Sequence, residues 1–444
     1  MSLADLRQKL EQKKARLAVI GLGYVGLPVA ALLADTGFDV LGVEIRAERV
    51  EKINHGICPI EGEEPGLADL LASVVRSGKL RATSECADLK DRDVILSDVE
   101  TPVDDRNEPR YEALRAALEN LGPVLKPGAL VIIESTIAPR TMSEVVLPLL
   151  ERGNGGKVNS AFYLGNCPER VMPGKLLQNL RSLSRVAGGM TPETAETMIA
   201  LYRHIVQADL DPADCITAEL VKTTENAYRD VNIAFANEVA LICEAVGADV
   251  WKVRELVNKS PYRNMHLPGA GVGGHCIPKD PWLLAYGVKA KDVPLRIIPA
   301  ARAVNDSMPT HMADLLESAL VEAGRKLKGA RIAVLGYAYL EDSDDTRNSP
   351  SESLARHLRE LGAEVVIHDP WVEEYKGDLL ERVKGCDAAV VMVAHSAYRT
   401  LDLGALKSAL RTPILIDGRH VFSASLAQAA GLTYRGIGKA ERPG

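Results

Sequence analysis

Apolar positions fall in two textures along the chain. In the first part, short apolar runs at 17–20, 40–43, 94–97 and 130–133 alternate with amphipathic stretches, which predicts parallel strands buried on both faces and joined by crossover helices. From about residue 211 the texture changes. Residues 217–246 carry apolar side chains at helical spacing, with no proline or glycine before Gly247, and predict one helix of about 45 Å at 1.5 Å per residue. A Gly/Pro-rich loop at 261–281 and further helical sequence to about residue 327 follow. Near Lys328 the first texture returns, with apolar runs at 332–335, 365–367, 388–393 and 414–416.

The predicted fold class is α/β: two Rossmann-like, doubly wound parallel-sheet domains joined by a central helical domain with a long spine helix. The expected boundaries are 1–210, 211–327 and 328–444, and 444 residues exceed what one hydrophobic core serves. The two α/β parts share a strand–turn–helix opening, AVIGLGYVG against AVLGYAYLE, but only the first has the glycine triplet.

Composition narrows the function. A net charge of −7 provides no basic field for nucleic acid. No apolar run approaches the roughly 20 residues needed to span a bilayer, and the polar start MSLADLRQKLEQKKAR is no secretory signal. The expectation is a cytoplasmic protein without membrane or nucleic-acid partners. Seven scattered cysteines form no CxxC pair, so neither a disulfide framework nor a metal site is expected. Six read as small buried hydrophobes. Cys276 is the exception.

Gly21, Gly23 and Gly26 of GLGYVG follow a predicted strand and open a predicted helix. The first glycine permits the tight turn, the second lets backbone approach a pyrophosphate, and the third lets helix and strand pack closely. Glu44 ends the second strand, where a carboxylate can take two ribose hydroxyls and would repel a 2′-phosphate, which favours NAD over NADP. Arg46 lies close enough to blur that preference, or is simply a solvated surface residue.

GAGVGGHCIPKDPW, residues 269–282, surrounds Cys276 with four preceding glycines and with His275, Lys279 and Asp280 as ionisable neighbours. Positive charge or backbone dipoles near a thiol lower its pKa and make it a nucleophile. His275 reads as a hydrogen-bonded structural residue rather than a base. This loop resembles the cysteine motif of the UDP-glucose/GDP-mannose dehydrogenase family, the nucleotide-sugar 6-dehydrogenases. TTENAYRDVNIAFANE (223–238, preceded by Lys222), NCPERVMPG (166–174) and DDTRNSPS (344–351) are similar to three further motifs of that family, in the same order. The resemblance covers about residues 15–438.

The resemblance implies an NAD-dependent, four-electron oxidation of a UDP-sugar C6 alcohol to a uronate, with Cys276 as nucleophile. It implies that Lys222 and Asn226 hold the C6 oxygen and a water, that Glu169 activates water, and that Asp280 orients water or tunes Lys222. Thr136 is expected near the nicotinamide or as a helix N-cap. Tyr24, Val25, Thr101 and Arg347 complete the implied cofactor set. Arg170, Val171, Arg229, Arg263, Gly273 and Arg419 complete the implied substrate set, with Arg263 equally readable as an exposed surface arginine.

Leu340 stands where many members have lysine, and Arg170 and Pro173 depart from the UDP-glucose enzymes toward members acting on N-acetylated sugars. The implied substrate order is therefore UDP-N-acetyl-D-mannosamine, UDP-N-acetylglucosamine, UDP-glucose and GDP-mannose. Pairing into a homodimer or higher oligomer through the central helix is also implied. The competing class is a single-hydride, hydroxyacid-type dehydrogenase, which needs no thiol.

Overall fold

In the computed structural model, residues 1–60, 62 and 64–439 are described. The chain divides into two compact units, Met1–Glu225 with Trp282–Val293, and Asn226–Pro281 with the chain from Pro294 onward.

The first unit is built on an eight-stranded sheet: β1 (Arg16–Ile20), β2 (Asp39–Val43), β3 (Leu80–Thr83), β4 (Val94–Ser97), β5 (Ala129–Ile133), β6 (Phe162–Asn166), β7 (Arg185–Gly189) and β8 (Leu210–Asp214). Their order is β3-β2-β1-β4-β5-β6-β7-β8. Alternate residues of each apolar run serve opposite faces. Leu17, Val19, Val94 and Leu96 join one core, whereas Ala18, Ile20, Ile95 and Val131 join the other. Both faces are covered, so the runs are continuously apolar rather than alternating. All four predicted strands of this part form, within a residue of their expected ends.

The sheet departs from the expected all-parallel arrangement at one seam. β6 and β7 pair antiparallel, through Gly165 with Gly189 and Asn166 with Gly188, and β8 then runs parallel to β7. The 167–184 excursion, with its helix Leu176–Ser182, brings the chain back along the strand it has just left. β8 reads LDPAD and is half-exposed, as an edge strand bearing proline is expected to be.

The second unit holds a five-stranded, all-parallel sheet: β9 (Arg331–Leu335), β10 (Glu364–His368), β11 (Ala388–Val391), β12 (Ile414–Asp417) and β13 (Thr433–Gly436), ordered β10-β9-β11-β12-β13. The spine helix runs Cys215–Val246, two residues earlier at its start than the apolar spacing predicts.

Candidate active site

At the end of β1, Gly21 has φ 92°, a conformation that favours glycine, and a Cβ there would lie 2.9 Å from the Asp98 carbonyl oxygen. A Cβ on Gly26 would lie 2.0 Å from the Gly21 carbonyl oxygen, whereas one on Gly23 would meet nothing within 4 Å. Two glycines therefore close the turn and the middle one leaves open space beside the backbone. The following helix, Gly26–Asp35, has no side-chain cap at Val25; the Leu27 amide donates to the Gly23 carbonyl at 3.3 Å and Pro28 has no N–H, so the positive dipole end and the Gly26 backbone are what the turn presents to an anion. These features fit a dinucleotide pyrophosphate.

Glu44 is buried at the end of β2. It accepts from the Arg46 amide at 3.0 Å and pairs with the guanidinium groups of Arg46 and Arg49, each at 3.4 Å. Arg46 thus leans on the carboxylate while keeping most of its own side chain exposed. Thr101 donates to the Thr136 carbonyl at 2.6 Å, tying the loops after β4 and β5 together. Tyr24 donates to Glu64, whose carboxylate also accepts from the amides of Gly174 and Leu176 at 2.7 and 3.1 Å.

Glu169 follows β6 and is almost wholly buried. Its carboxylate accepts from the Arg170 amide at 2.7 Å and pairs with Arg185 of β7. Burial raises its pKa, opposed chiefly by Arg185 and also by Lys222. Arg185 additionally holds Glu134 at 3.0 Å, and Tyr202 donates to the same Glu134 oxygen at 2.7 Å. Sequence reading singled out neither Arg185 nor Glu134. Their common signal is slight: each is a charged residue set against an apolar strand.

Arg170 is engaged with Glu225, at 3.0 Å through Nε, and with the Ser184 carbonyl at 2.6 Å. Val171 is partly buried and packs on the first unit's core. Lys222 and Asn226 are one helical turn apart and both are half-buried.

In the second unit, Cys276 is exposed and stands at a turn, its carbonyl accepting from the amides of Lys279 and Asp280 at 3.1 and 2.8 Å. Asp280 is fully buried. One of its oxygens accepts from Asn226 at 2.5 Å and the other pairs with Lys279 at 2.9 Å. The preceding loop is fastened at four points. The Gly269 amide donates to Asn237 at 2.9 Å, Arg419 donates to the Gly271 carbonyl at 3.0 Å, the Gly274 amide donates to the Arg347 carbonyl at 2.9 Å, and Asn348 donates to the Gly274 carbonyl at 3.1 Å.

Gly274 has φ 87°, and a Cβ there would sit 2.7 Å from the Tyr339 ring; one on Gly273 would sit equally close to Asn348 and Tyr339. His275 is pushed down to about 4 by burial, aided by Lys279 and Arg347, so it is neutral at neutral pH.

The arginines expected at the sugar nucleotide have different surroundings. Arg419 donates to the carbonyls of Met392 and Gly271, and burial lowers its pKa to about 10. Arg263 is exposed and reaches only the carbonyls of Pro261 and Tyr262, at 3.4 and 3.5 Å. Arg229 is exposed on the spine helix, and Arg347 is exposed and paired with Asp345 through its Nε at 2.9 Å.

The glycine turn, the acidic end of β2 and the strand order from β3 to β6 define a dinucleotide-binding domain of the Rossmann type. Comparison with known proteins gives the family. Models of the UDP-glucose/GDP-mannose dehydrogenase family match along the chain: its NAD binding domain at 15–206, its central domain at 216–307 and its UDP binding domain at 333–424. A UDP-N-acetyl-D-mannosamine dehydrogenase of Pyrococcus horikoshii is 40% identical over 96% of this chain and 100% of its own length. A solved structure of a UDP-D-ManNAc dehydrogenase from the same organism superposes with a TM-score of 0.90 at 40% identity, covering 96% of this chain and 99% of that one. An NDP-N-acetyl-D-galactosaminuronic acid dehydrogenase from Methanosarcina mazei Go1 superposes with a TM-score of 0.88 at 38% identity, covering 99% and 98%. The chain belongs to the UDP-glucose/GDP-mannose dehydrogenase family and is an NAD-dependent nucleotide-sugar dehydrogenase.

Proposed function

We propose that this enzyme oxidises the C6 alcohol of UDP-N-acetyl-D-mannosamine to the carboxylate of UDP-N-acetyl-D-mannosaminuronate, through a thioester on Cys276. The observation that carries the reading is the exposed Cys276 on a loop fastened by Asn237, Arg347, Asn348 and Arg419, in a chain 40% identical to a UDP-N-acetyl-D-mannosamine dehydrogenase over nearly its whole length.

The Gly21–Gly26 turn and Glu44 would hold NAD, which when bound would supply the hydride acceptor for both oxidations. Lys222 and Asn226 steady the C6 oxygen while the alcohol becomes an aldehyde, its hydroxyl proton passing to the water that the same two side chains hold. The Cys276 thiolate then adds to the aldehyde carbon, forming a C–S bond and moving the carbonyl pair onto oxygen, where Lys222 stabilises it. This restores a tetrahedral carbon bearing hydrogen, which is oxidised to the thioester. Glu169 takes a proton from water as the water attacks the thioester, and the thiolate leaves. Asp280 holds Asn226 in place through the 2.5 Å hydrogen bond. Thr136 and Thr101 lie together after β5 and β4 and support the nicotinamide end.

Pairing through the spine helix belongs to the same reading. Tyr228, Phe235 and Ile242 are 65%, 60% and 53% exposed, and seven-residue spacing puts them on one face. A cytoplasmic location also belongs to it. The test of substrate is NADH formation with UDP-N-acetylmannosamine, UDP-N-acetylglucosamine, UDP-N-acetylgalactosamine, UDP-glucose and GDP-mannose. The first should exceed each other sugar in kcat/KM by at least about tenfold, a difference of roughly 1.4 kcal/mol. A higher kcat/KM for any other sugar contradicts the assignment.

A further inference from the structure

The carboxyl ends of β4, β5 and β6 and the start of β7 converge on a cluster of charge that is buried except at Asp98, which is partly exposed with its Oδ2 sealed. Ser97 of β4 is in register with Ile133 of β5, and Ile133 with Asn166 of β6, so the next residues along, Asp98, Glu134 and Cys167, are also neighbours. Arg185 at the start of β7 enters from the other side and holds both Glu134 and Glu169. Arg185, Glu134 and Glu169 are 1%, 2% and 7% exposed. Two carboxyl groups thus hold a single guanidinium, and a third, that of Asp98, lies beside Glu134 on the neighbouring strand.

The facing groups are few. From the end of β5 comes Glu134, from the segment after β6 Cys167 and Glu169, from β7 Arg185, from the helix Pro192–Tyr202 its Tyr202, and from the spine helix Lys222, which acts on Glu169. Tyr202 donates to Glu134 Oε1, and the Arg185 guanidinium lies 4.8 Å from the centre of the Tyr202 ring. Three carboxylate oxygens in this cluster, Asp98 Oδ2, Glu134 Oε2 and Glu169 Oε2, are sealed from solvent without a hydrogen bond among the described residues; the last is ion-paired with Arg185, which leaves Asp98 Oδ2 and Glu134 Oε2 without a donor. Buried acceptors without donors are costly, and two adjacent carboxylates resolve the cost when one of them carries a proton and donates it to the other.

We propose that Asp98 is held as a neutral carboxylic acid donating to Glu134, and that this pair positions Glu169 as the hydrolytic base by leaving Arg185 only two negative charges to balance. Asp98 and Glu134 are positioning residues: they act on the reaction through Arg185 and Glu169. Burial and the charges of Glu134 and Glu169 favour the neutral form of Asp98. The inference rests on Glu169 being the base that hydrolyses the thioester.

Two readouts test it. The first is the difference infrared spectrum of Asp98→Asn against wild type at neutral pH. A carboxylic-acid carbonyl band present in wild type and missing from the variant is expected; its absence from wild type overturns the proposal. The second is the pH profile of thioester hydrolysis, measured with UDP-sugar aldehyde as substrate. Asparagine imitates the neutral acid, so the acid limb in Asp98→Asn should stay within about 0.3 unit of wild type, and a fall of about one unit or more would mean that the variant had removed a charge. Glu134→Gln removes a real charge beside Arg185, and its acid limb should fall by about one unit, with thermal melting checking that it folds. An unmoved limb in Glu134→Gln counts against the positioning role. Failure of the base assignment is separable: hydrolysis would then survive in Glu169→Gln while the infrared band remained.

Discussion

Cys276 and Cys167 are the same side chain under opposite conditions. Cys167 is fully buried beside Arg185 and Tyr202, and burial pushes its thiol up to about 12, so it packs and does not react. Cys276 is exposed at the end of a fastened, glycine-rich loop, where an aldehyde can reach it. Cys276→Ser should lower uronate formation by at least about a thousandfold, measured by product chromatography. Glu169→Gln should leave thioester formation and slow hydrolysis by about a hundredfold or more, so that intact-mass analysis finds the sugar nucleotide attached to the enzyme. Cys276 was legible because its glycines and charged neighbours are contiguous in sequence. Arg185 was not, because its partners at 134 and 169 are brought to it only by three strand ends, and an arginine opening a strand reads as solvent-facing.

At the scale of elements, the glycine turn is the tightest constraint in the first unit. Gly26→Ala places a methyl where the Gly21 carbonyl oxygen lies at 2.0 Å, so the helix must move off the strand and NADH affinity should fall by at least about tenfold, as titration of NADH fluorescence would show. The spine helix carries a second constraint. Buried Glu219 accepts from the amides of Arg140 and Met142 at 2.9 and 2.7 Å, fixing the start of the segment that packs there, yet burial raises its pKa from 4.5 to about 7. Its folded form holds a proton that the unfolded chain releases near pH 4.5, so stability falls as pH rises from about 4.5 to 7, by about 3 kcal/mol in total. In Glu219→Gln that part of the slope should vanish from denaturant midpoints measured between pH 4.5 and 7.5. An unchanged slope would mean that the carboxyl is ionised throughout.

Across the whole molecule, what the sequence made legible followed burial. Strands covered on both faces, such as β1, β4, β9 and β12, are continuous apolar runs and read directly. β8, LDPAD, does not, because an edge strand with proline and two aspartates has no apolar pattern to find. The antiparallel seam at β6 and β7 was equally hidden, since glycines at 165, 188 and 189 carry no side-chain periodicity. Among the described residues, no helix is long and apolar enough to cross a membrane. The exposed Tyr228, Phe235 and Ile242 face predicts pairing: light scattering at micromolar concentration should give a dimer or larger, and Phe235→Asp should shift it toward monomer. Monomeric wild type would contradict that assignment.

The proposed chemistry is decided most directly by counting NADH released per UDP-N-acetylmannosamine consumed, with the sugar limiting. Thiohemiacetal and thioester chemistry at Cys276 predicts two NADH per sugar, with the uronate as sole product. One NADH per sugar, with aldehyde set free, would contradict it.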